Sequence, residues 1–256
     1  MLILVTNDDG IAAPGLNVLA EALRTLGRVV IVAPDRERSA SGHAMTLHAP
    51  LRAEEVGPDR YAVDGTPTDC VNLGVHGLLG EKPSLVVSGI NRGANLGDDI
   101  TYSGTVAAAM EATIMGVPSL AVSQEYDGGF LSVVDYAAAS RVALVLARQV
   151  LDSGLPPDTF LNVNVPITPL SPDKGIRLTR QGKRIYGDLI IEKLDPRGRK
   201  YYWLGGGELS HQQDPRSDFA AIQQGHVSVT PLHLDLTNYA SFDELGSWPQ
   251  LTQDLI

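Results

Sequence analysis

The chain has 256 residues, 43% of them hydrophobic, and 20 basic against 30 acidic side chains give it a formal net charge of −10. That excludes a disordered segment or a disulfide-stapled miniprotein, and it suits one large α/β domain or one domain with a substantial appendage. The excess of acid argues against wholesale binding of nucleic acid or an anionic membrane, but leaves room for a small phosphorylated substrate held by a local patch or a metal. The single cysteine, Cys70, excludes an internal disulfide and a cysteine-based zinc cluster, and suits a reducing compartment. The apolar run after Met1 lacks the basic flank of a secretory leader, and no run approaches the ~18 residues that span a bilayer. A cytoplasmic protein without a membrane partner is expected.

In chain order, Leu2–Thr6 reads as a strand. Leu16, Leu19, Ala20 and Leu23 then recur at helical spacing, with Gly27 as the stop. Residues 28–34, RVVIVAP, are continuously apolar, as a strand covered on both faces should be. Residues 70–79 read as helix, 84–90 as strand, and 105–116 as a helix apolar nearly all round and therefore buried. Residues 118–123 read as strand, 132–151 as a long helix with Arg141 and Arg148 on its wet side, and 160–166 as strand. The alternation predicts an α/β fold with a Rossmann-like, doubly wound, mainly parallel sheet as the catalytic core over residues 1–166. Residues 167–256 change character. Runs such as LIIEKL and KYYWL around DPRGRK predict a hairpin-rich C-terminal extension, too thin for its own core, that packs on the core and on a partner subunit.

In an open α/β sheet, ligands bind beyond the carboxyl ends of the strands. The first strand ends at Asn7-Asp8-Asp9-Gly10, and the second at a loop carrying Ser39, Ser41 and His43. The strand at 84–90 ends at SGINRGANLGDDITYSGT, which carries Asn91, Asn95, Asp98, Asp99, Ser103 and Thr105. Two carboxylates about 4 Å apart repel by roughly 4 kcal/mol at an effective dielectric of about 20, and a bound cation is the simplest offset. Carboxylate, hydroxyl and amide oxygens form a hard-cation set suited to Mg²⁺ or Mn²⁺, and none of the six histidines has a partner at zinc-like spacing. Ser103-Gly104-Thr105 opens the buried helix, where backbone N–H groups and hydroxyls can cradle a phosphate. Each feature also has a plain structural reading: NDDG as an Asx-type turn, Asp98-Asp99 as a solvated loop, His43 as structural, Glu111 as the partner of a nearby base, Cys70 and Met110 as core.

Several other chemistries leave no trace. There is no Gly-x-Gly-x-x-Gly or Asp-x-Asp after the first strand, no Walker A loop and no Gly-x-Ser-x-Gly elbow. Attack by a metal-activated water survives. The stretches ILVTNDDG, APDRERSASGH, GTPTDCV, VVSGINRGANLGDDITYSGTVAAAMEA and VSVTPLHLDLT together resemble the SurE family, the stationary-phase survival protein E nucleotidases, over nearly the whole chain. The resemblance implies a metal-dependent phosphomonoesterase acting on nucleoside 5′-monophosphates, in the family often on 3′-nucleotides and sometimes on short polyphosphate. It implies one divalent cation per subunit, Mg²⁺ or Mn²⁺, held by Asp8, Asp9, Ser39 and Asn91; the choice of Ser39 over Ser41 rests on the resemblance alone. Family members exchange C-terminal segments in homodimers or homotetramers, in agreement with the thin region after residue 167.

The expected mechanism is in-line attack by the metal-polarised water. Asp8 and Asp9 are the catalytic pair, the phosphate spans the metal and Ser103-Gly104-Thr105 with Asn95 touching it, and the base is either Asp9 or metal hydroxide. A reading from another class keeps the same pocket for a metal-gated nucleotide-binding or assembly protein with negligible turnover, which liberates no phosphate. The aromatics available to stack on a base, Tyr186, Tyr201, Tyr202 and Trp203, fall in the hairpin region.

Overall fold

The first two thirds of the chain alternate strand and helix much as the apolar periodicity predicts. In the computed structural model, which describes residues 1–127, 134–168, 174–185, 187, 190–204 and 210–248, β1 (Leu2–Thr6) leads through α1 (Pro14–Leu23) into β2 (Arg28–Pro34). Pro14 starts α1 where no helical N–H is needed. Gly15 lets the helix close on the sheet, since a Cβ there would stand 2.2 Å from the Ile90 carbonyl oxygen and 3.2 Å from the Tyr136 ring. An antiparallel pair follows, β3 (Ala53–Gly57) and β4 (Arg60–Val63), whose mixed residues show no apolar run and so escape the periodicity. Next, α2 (Pro67–Leu73) begins earlier than the expected residue 70, because Thr66 and Asp69 form a capping box, and a π turn carries it on through Leu78.

β5 (Leu85–Arg92) runs on to Arg92 rather than stopping at Ile90, and a 3₁₀ turn over Gly97–Thr101 leads into α3 (Gly104–Ile114) and β6 (Ser119–Gln124). The long helix α4 (Ala137–Ser153) starts later than the expected residue 132. Residues 134–136 are not helical, the Asp135 carboxylate accepts the Ala137 N–H at 2.9 Å, and residues 132 and 133 lie outside the described residues. β7 (Thr159–Val165) closes the expected series.

The extension supplies β8 (Ile176–Leu178), β9 (Arg184–Ile185), β10 (Ile190–Leu194), β11 (Lys200–Leu204), β12 (Ser210–His211), α5 (Asp218–Gln223), β13 (Val227–His233) and α6 (Phe242–Gly246). β10 and β11 form the hairpin expected around DPRGRK. Not all of the extension is hairpin, however. Among the described residues nine strands make one sheet in the order β3-β4-β2-β1-β5-β6-β7-β13-β8. Strands from both sides of Pro166 therefore share it, β13 running antiparallel to β7 and parallel to β8.

The fold is a Rossmann-like, doubly wound α/β sheet. Pleating sends Ile3, Val5 and Val87 to one face, against Leu16 and Leu19 of α1 and Ala143 of α4. It sends Leu4, Val30 and Val86 to the other, against Cys70 of α2 and Ala108 of α3. Each such aliphatic side chain contributes roughly 2 kcal/mol by leaving water. From β1 the chain proceeds to β2 and β4 on one side, and β5, β6 and β7 lie on the other. The crevice outside the carboxyl ends of β1 and β5 is thus the topological switch point where such sheets bind ligands. Among the described residues no helix is long and apolar enough to cross a membrane.

Candidate active site

Asn7 shapes the loop after β1. Its buried side chain donates to the Gly10 carbonyl at 3.1 Å and accepts the Gly10 N–H at 3.2 Å. This Asx brace is the turn that NDDG suggests, and it presents Asp8 and Asp9 at the switch point. Asp8 is 4% exposed and accepts a short hydrogen bond from the Thr105 hydroxyl. The N–H groups of Gly104 and Thr105 bear on the same carboxylate. Only glycine permits this approach: a Cβ on Gly104 would stand 2.8 Å from the Asp8 Cβ and 3.0 Å from its Oδ2. Burial pushes the Asp8 carboxyl up, against the opposing pull of Thr105 and the helix N–H groups. Asp9 accepts the Arg92 N–H at 3.2 Å. Burial first, and the Asp8 charge second, push its carboxyl from 3.8 to about 6.

The loop after β2 is stitched to this one, since the Arg38 N–H donates to the Asp8 carbonyl at 2.7 Å. Ser39 is exposed and its hydroxyl donates to Glu37 at 2.7 Å. Ser41 turns inward, where its Oγ is buried without a partner and lies 2.9 Å from the space a Gly104 Cβ would fill. His43 and Glu111 are a structural pair, Nε2 to Oε2 at 2.6 Å, and the Asn72 amide donates to the other Glu111 oxygen at 2.6 Å. The pair anchors the loop to α3.

At the end of β5, the Asn91 amide nitrogen donates to the Gly93 carbonyl at 2.8 Å, which leaves its Oδ1 for a ligand. Asn95 is drawn into the sheet. Its amide nitrogen donates to Ser123 at 2.8 Å, and its backbone is gripped by Asn162 and Asn164. Ser103 caps α3 by accepting the Val106 N–H at 3.1 Å, so its own hydroxyl proton stays available, whereas the proton of Thr105 goes to Asp8.

Asp98 and Asp99 are not a solvated loop. Asp98 accepts from Lys183 at 3.1 Å and from the Arg184 N–H at 3.0 Å, and Asp99 accepts from the Arg184 guanidinium. That guanidinium lies 4.7 Å over the Phe219 ring. Next to them the Asp218 carboxylate accepts the N–H groups of Gly97 at 2.7 Å, Gly182 at 3.0 Å and Phe219 at 2.8 Å. The C-terminal extension therefore grips the turn that delivers Ser103 to the site.

Asp9 and Ser39 line one cavity of about 270 Å³ together with Glu37, Arg92, Tyr136, Ala13 and Pro14. Arg92, Glu37 and Tyr136 escaped sequence reasoning. Arg92 had a signal in standing directly after Asn91, while Tyr136 had none, because only the fold brings the start of α4 to this crevice. Tyr201, Tyr202 and Trp203 lie exposed on β11 and do not line this cavity, and Tyr186 lies outside the described residues.

The family model described as "Survival protein SurE" matches residues 3–188 of this chain. Among curated relatives, a protein named 5′-nucleotidase SurE from Syntrophotalea carbinolica is 64% identical over 97% of this chain and 97% of its own length. Another of that name, from Geobacter sulfurreducens, is 62% identical over 97% and 94%. Among solved structures, the SurE protein from Aquifex aeolicus superposes with a TM-score of 0.82 at 45% identity, covering 96% of this chain and 98% of that one.

Proposed function

The chain belongs to the SurE family, and on that premise we infer that it is a 5′-nucleotidase that hydrolyses nucleoside 5′-monophosphates to nucleoside and phosphate, with one divalent cation, Mg²⁺ or Mn²⁺, per subunit. The observation that carries the reading is the Asp8-Asp9 pair, both carboxyls raised by burial, set at the switch point against the N-terminus of α3. Without a counter-charge the pair is a liability. With a cation it becomes a site.

The donors suit a hard ion: two carboxylates, the Asn91 Oδ1 and the Ser39 hydroxyl, all oxygen. Among the described residues no group of three or more His, Cys, Asp or Glu side chains is placed to hold a metal ion, so amide and hydroxyl oxygens have to complete the shell. The partnerless Ser41 Oγ beside Gly104 fits a site that awaits a polar group. Bound there, a divalent cation neutralises phosphate charge and acidifies water.

The chain's own groups do the rest. Thr105 holds Asp8 in orientation through its hydroxyl and is a positioning residue. The α3 N-terminus favours the phosphate dianion through its dipole, with the free Ser103 proton as a donor, while the Gly104 and Thr105 N–H groups serve Asp8. Asp9 takes the proton of the attacking water as that water's oxygen bonds to phosphorus. The bond from phosphorus to the 5′ oxygen breaks in line, that oxygen takes a proton from solvent to become the nucleoside's hydroxyl, and Asp9 returns its own proton to solvent. The same phosphate mouth admits a 3′-monophosphate or the end of a short polyphosphate. We further propose a homodimer or homotetramer joined through the extension, which leaves Trp203 at 63% and Leu204 at 85% exposed.

The test is phosphate release from nucleoside 5′- and 3′-monophosphates and short polyphosphate, with Mn²⁺, with Mg²⁺ and with EDTA, on wild type and Asp8→Asn. Release by wild type alone, and only with metal, is expected. Stoichiometric nucleotide binding without release would replace the enzyme by a metal-gated nucleotide-binding protein.

A further inference from the structure

The cavity shared by Asp9 and Ser39 continues past them. Its far wall is apolar, made by Ala13, Pro14 and the ring of Tyr136, which is only 8% exposed. At its rim stands Arg92, whose backbone N–H holds Asp9 and whose side chain is exposed. Arg92 is not loose. Its guanidinium lies 4.1 Å from the centroid of the Tyr126 ring and donates to the Tyr126 hydroxyl at 2.6 Å. The guanidinium is thus tethered by an aromatic side chain, next to a slot of about 270 Å³ that it lines together with Asp9 and Ser39.

We propose that this slot is the nucleoside subsite and that the Arg92 plane, tethered by Tyr126, is the platform on which the base stacks. The inference rests on the nucleotidase reading and deepens it. A planar cation held in place by an aromatic side chain offers a face to any base, because every base has a π-face. Ala13, Pro14 and the ring of Tyr136 offer the sugar and base apolar contact, and Glu37, Ser39 and the Tyr136 hydroxyl are the polar groups beside it. The roomier cavity of about 550 Å³ between α3 and β13 is lined by Val106, Met110, Leu232 and their neighbours. It touches none of Asp8, Asp9, Ser39 or Asn91, and is the weaker candidate.

The test compares kcat/KM for AMP and UMP with kcat/KM for ribose 5-phosphate, which carries the phosphate and sugar but no base. For Arg92→Ala the ratio of nucleotide to ribose 5-phosphate should fall about tenfold, and mainly through KM. Arg92→Lys keeps the charge but not the plane and should fail to restore the ratio. Tyr126→Leu should lower it in the same direction. An equal loss on ribose 5-phosphate would overturn the proposal by making Arg92 a phosphate contact, as would rescue by Arg92→Lys. An unchanged ratio would place the base elsewhere. If wild type releases phosphate from none of the three, the nucleotidase reading itself fails, an outcome distinct from the others.

Discussion

Asp9→Asn should stabilise the metal-free protein while ending its catalysis. In the folded chain the Asp9 carboxyl is pushed from 3.8 to about 6, by burial and then by the Asp8 charge. A carboxyl raised on folding gives its full stabilising contribution below 3.8, and loses it as pH rises through about 6. Above about pH 7 the ionised group therefore costs the folded state on the order of 3 kcal/mol, at 1.36 kcal/mol for each unit between 3.8 and about 6. Near pH 5 the cost is about half that. Asparagine keeps an oxygen for the Arg92 N–H but carries no charge. The assay is urea unfolding of wild type and Asp9→Asn in EDTA at about pH 8 and about pH 5. The variant should be the more stable at both, by about twice as much at the higher pH. Added Mn²⁺ should reverse the order by stabilising wild type alone. A variant no more stable than wild type at the higher pH would refute the claim that the aspartate pair is strained without a cation.

Two other substitutions test the frame around the pair. Gly104→Ala, at the first residue of α3, puts a Cβ 2.8 Å from the Asp8 side chain. Circular dichroism should show the helix retained, while phosphate release falls at least tenfold; full activity would mean that α3 need not approach Asp8 so closely. Asp218→Ala leaves the N–H groups of Gly97, Gly182 and Phe219 without their acceptor, and should cost about 3 kcal/mol in urea unfolding. Its kcat should also fall, since the turn leading to Ser103 loses its brace; unchanged stability and kcat would deny the grip of the extension on the site.

What the sequence made legible follows from which interactions are local. The runs at Leu2–Thr6 and Arg28–Pro34 announce buried parallel strands by themselves, because both faces are covered. Asp8, Asp9 and Asn91 could be grouped because the sheet rule puts strand ends together. The partly exposed pair β3 and β4 has no apolar signature. The capping box of Thr66 and Asp69 was present in the text, just ahead of the apolar residues that draw the eye. The ion pairs of Asp98 and Asp99 were illegible for a different reason: Lys183 and Arg184 are local to them only in the folded chain. The roles of Thr105, with its hydroxyl on Asp8, and of Ser103, with its proton free, turn on the direction of single hydrogen bonds, which no spacing encodes.

The place of β13 in the sheet has a consequence for the order of events on the ribosome. This strand, residues 227–233, seals the edge of β7, which is made of residues 159–165. A nascent chain that has emerged only as far as α4 and β7 already contains Asp8, Asp9, Asn91 and Ser103. Its sheet nevertheless ends in an apolar strand with unpaired N–H and carbonyl groups, an open template for other chains. The braces from Lys183, Arg184 and Asp218 have not yet arrived either. Catalytic competence and protection from aggregation thus both wait until β13 and these braces have emerged, and a ribosome that stalls between β7 and β13 exposes the open edge of β7.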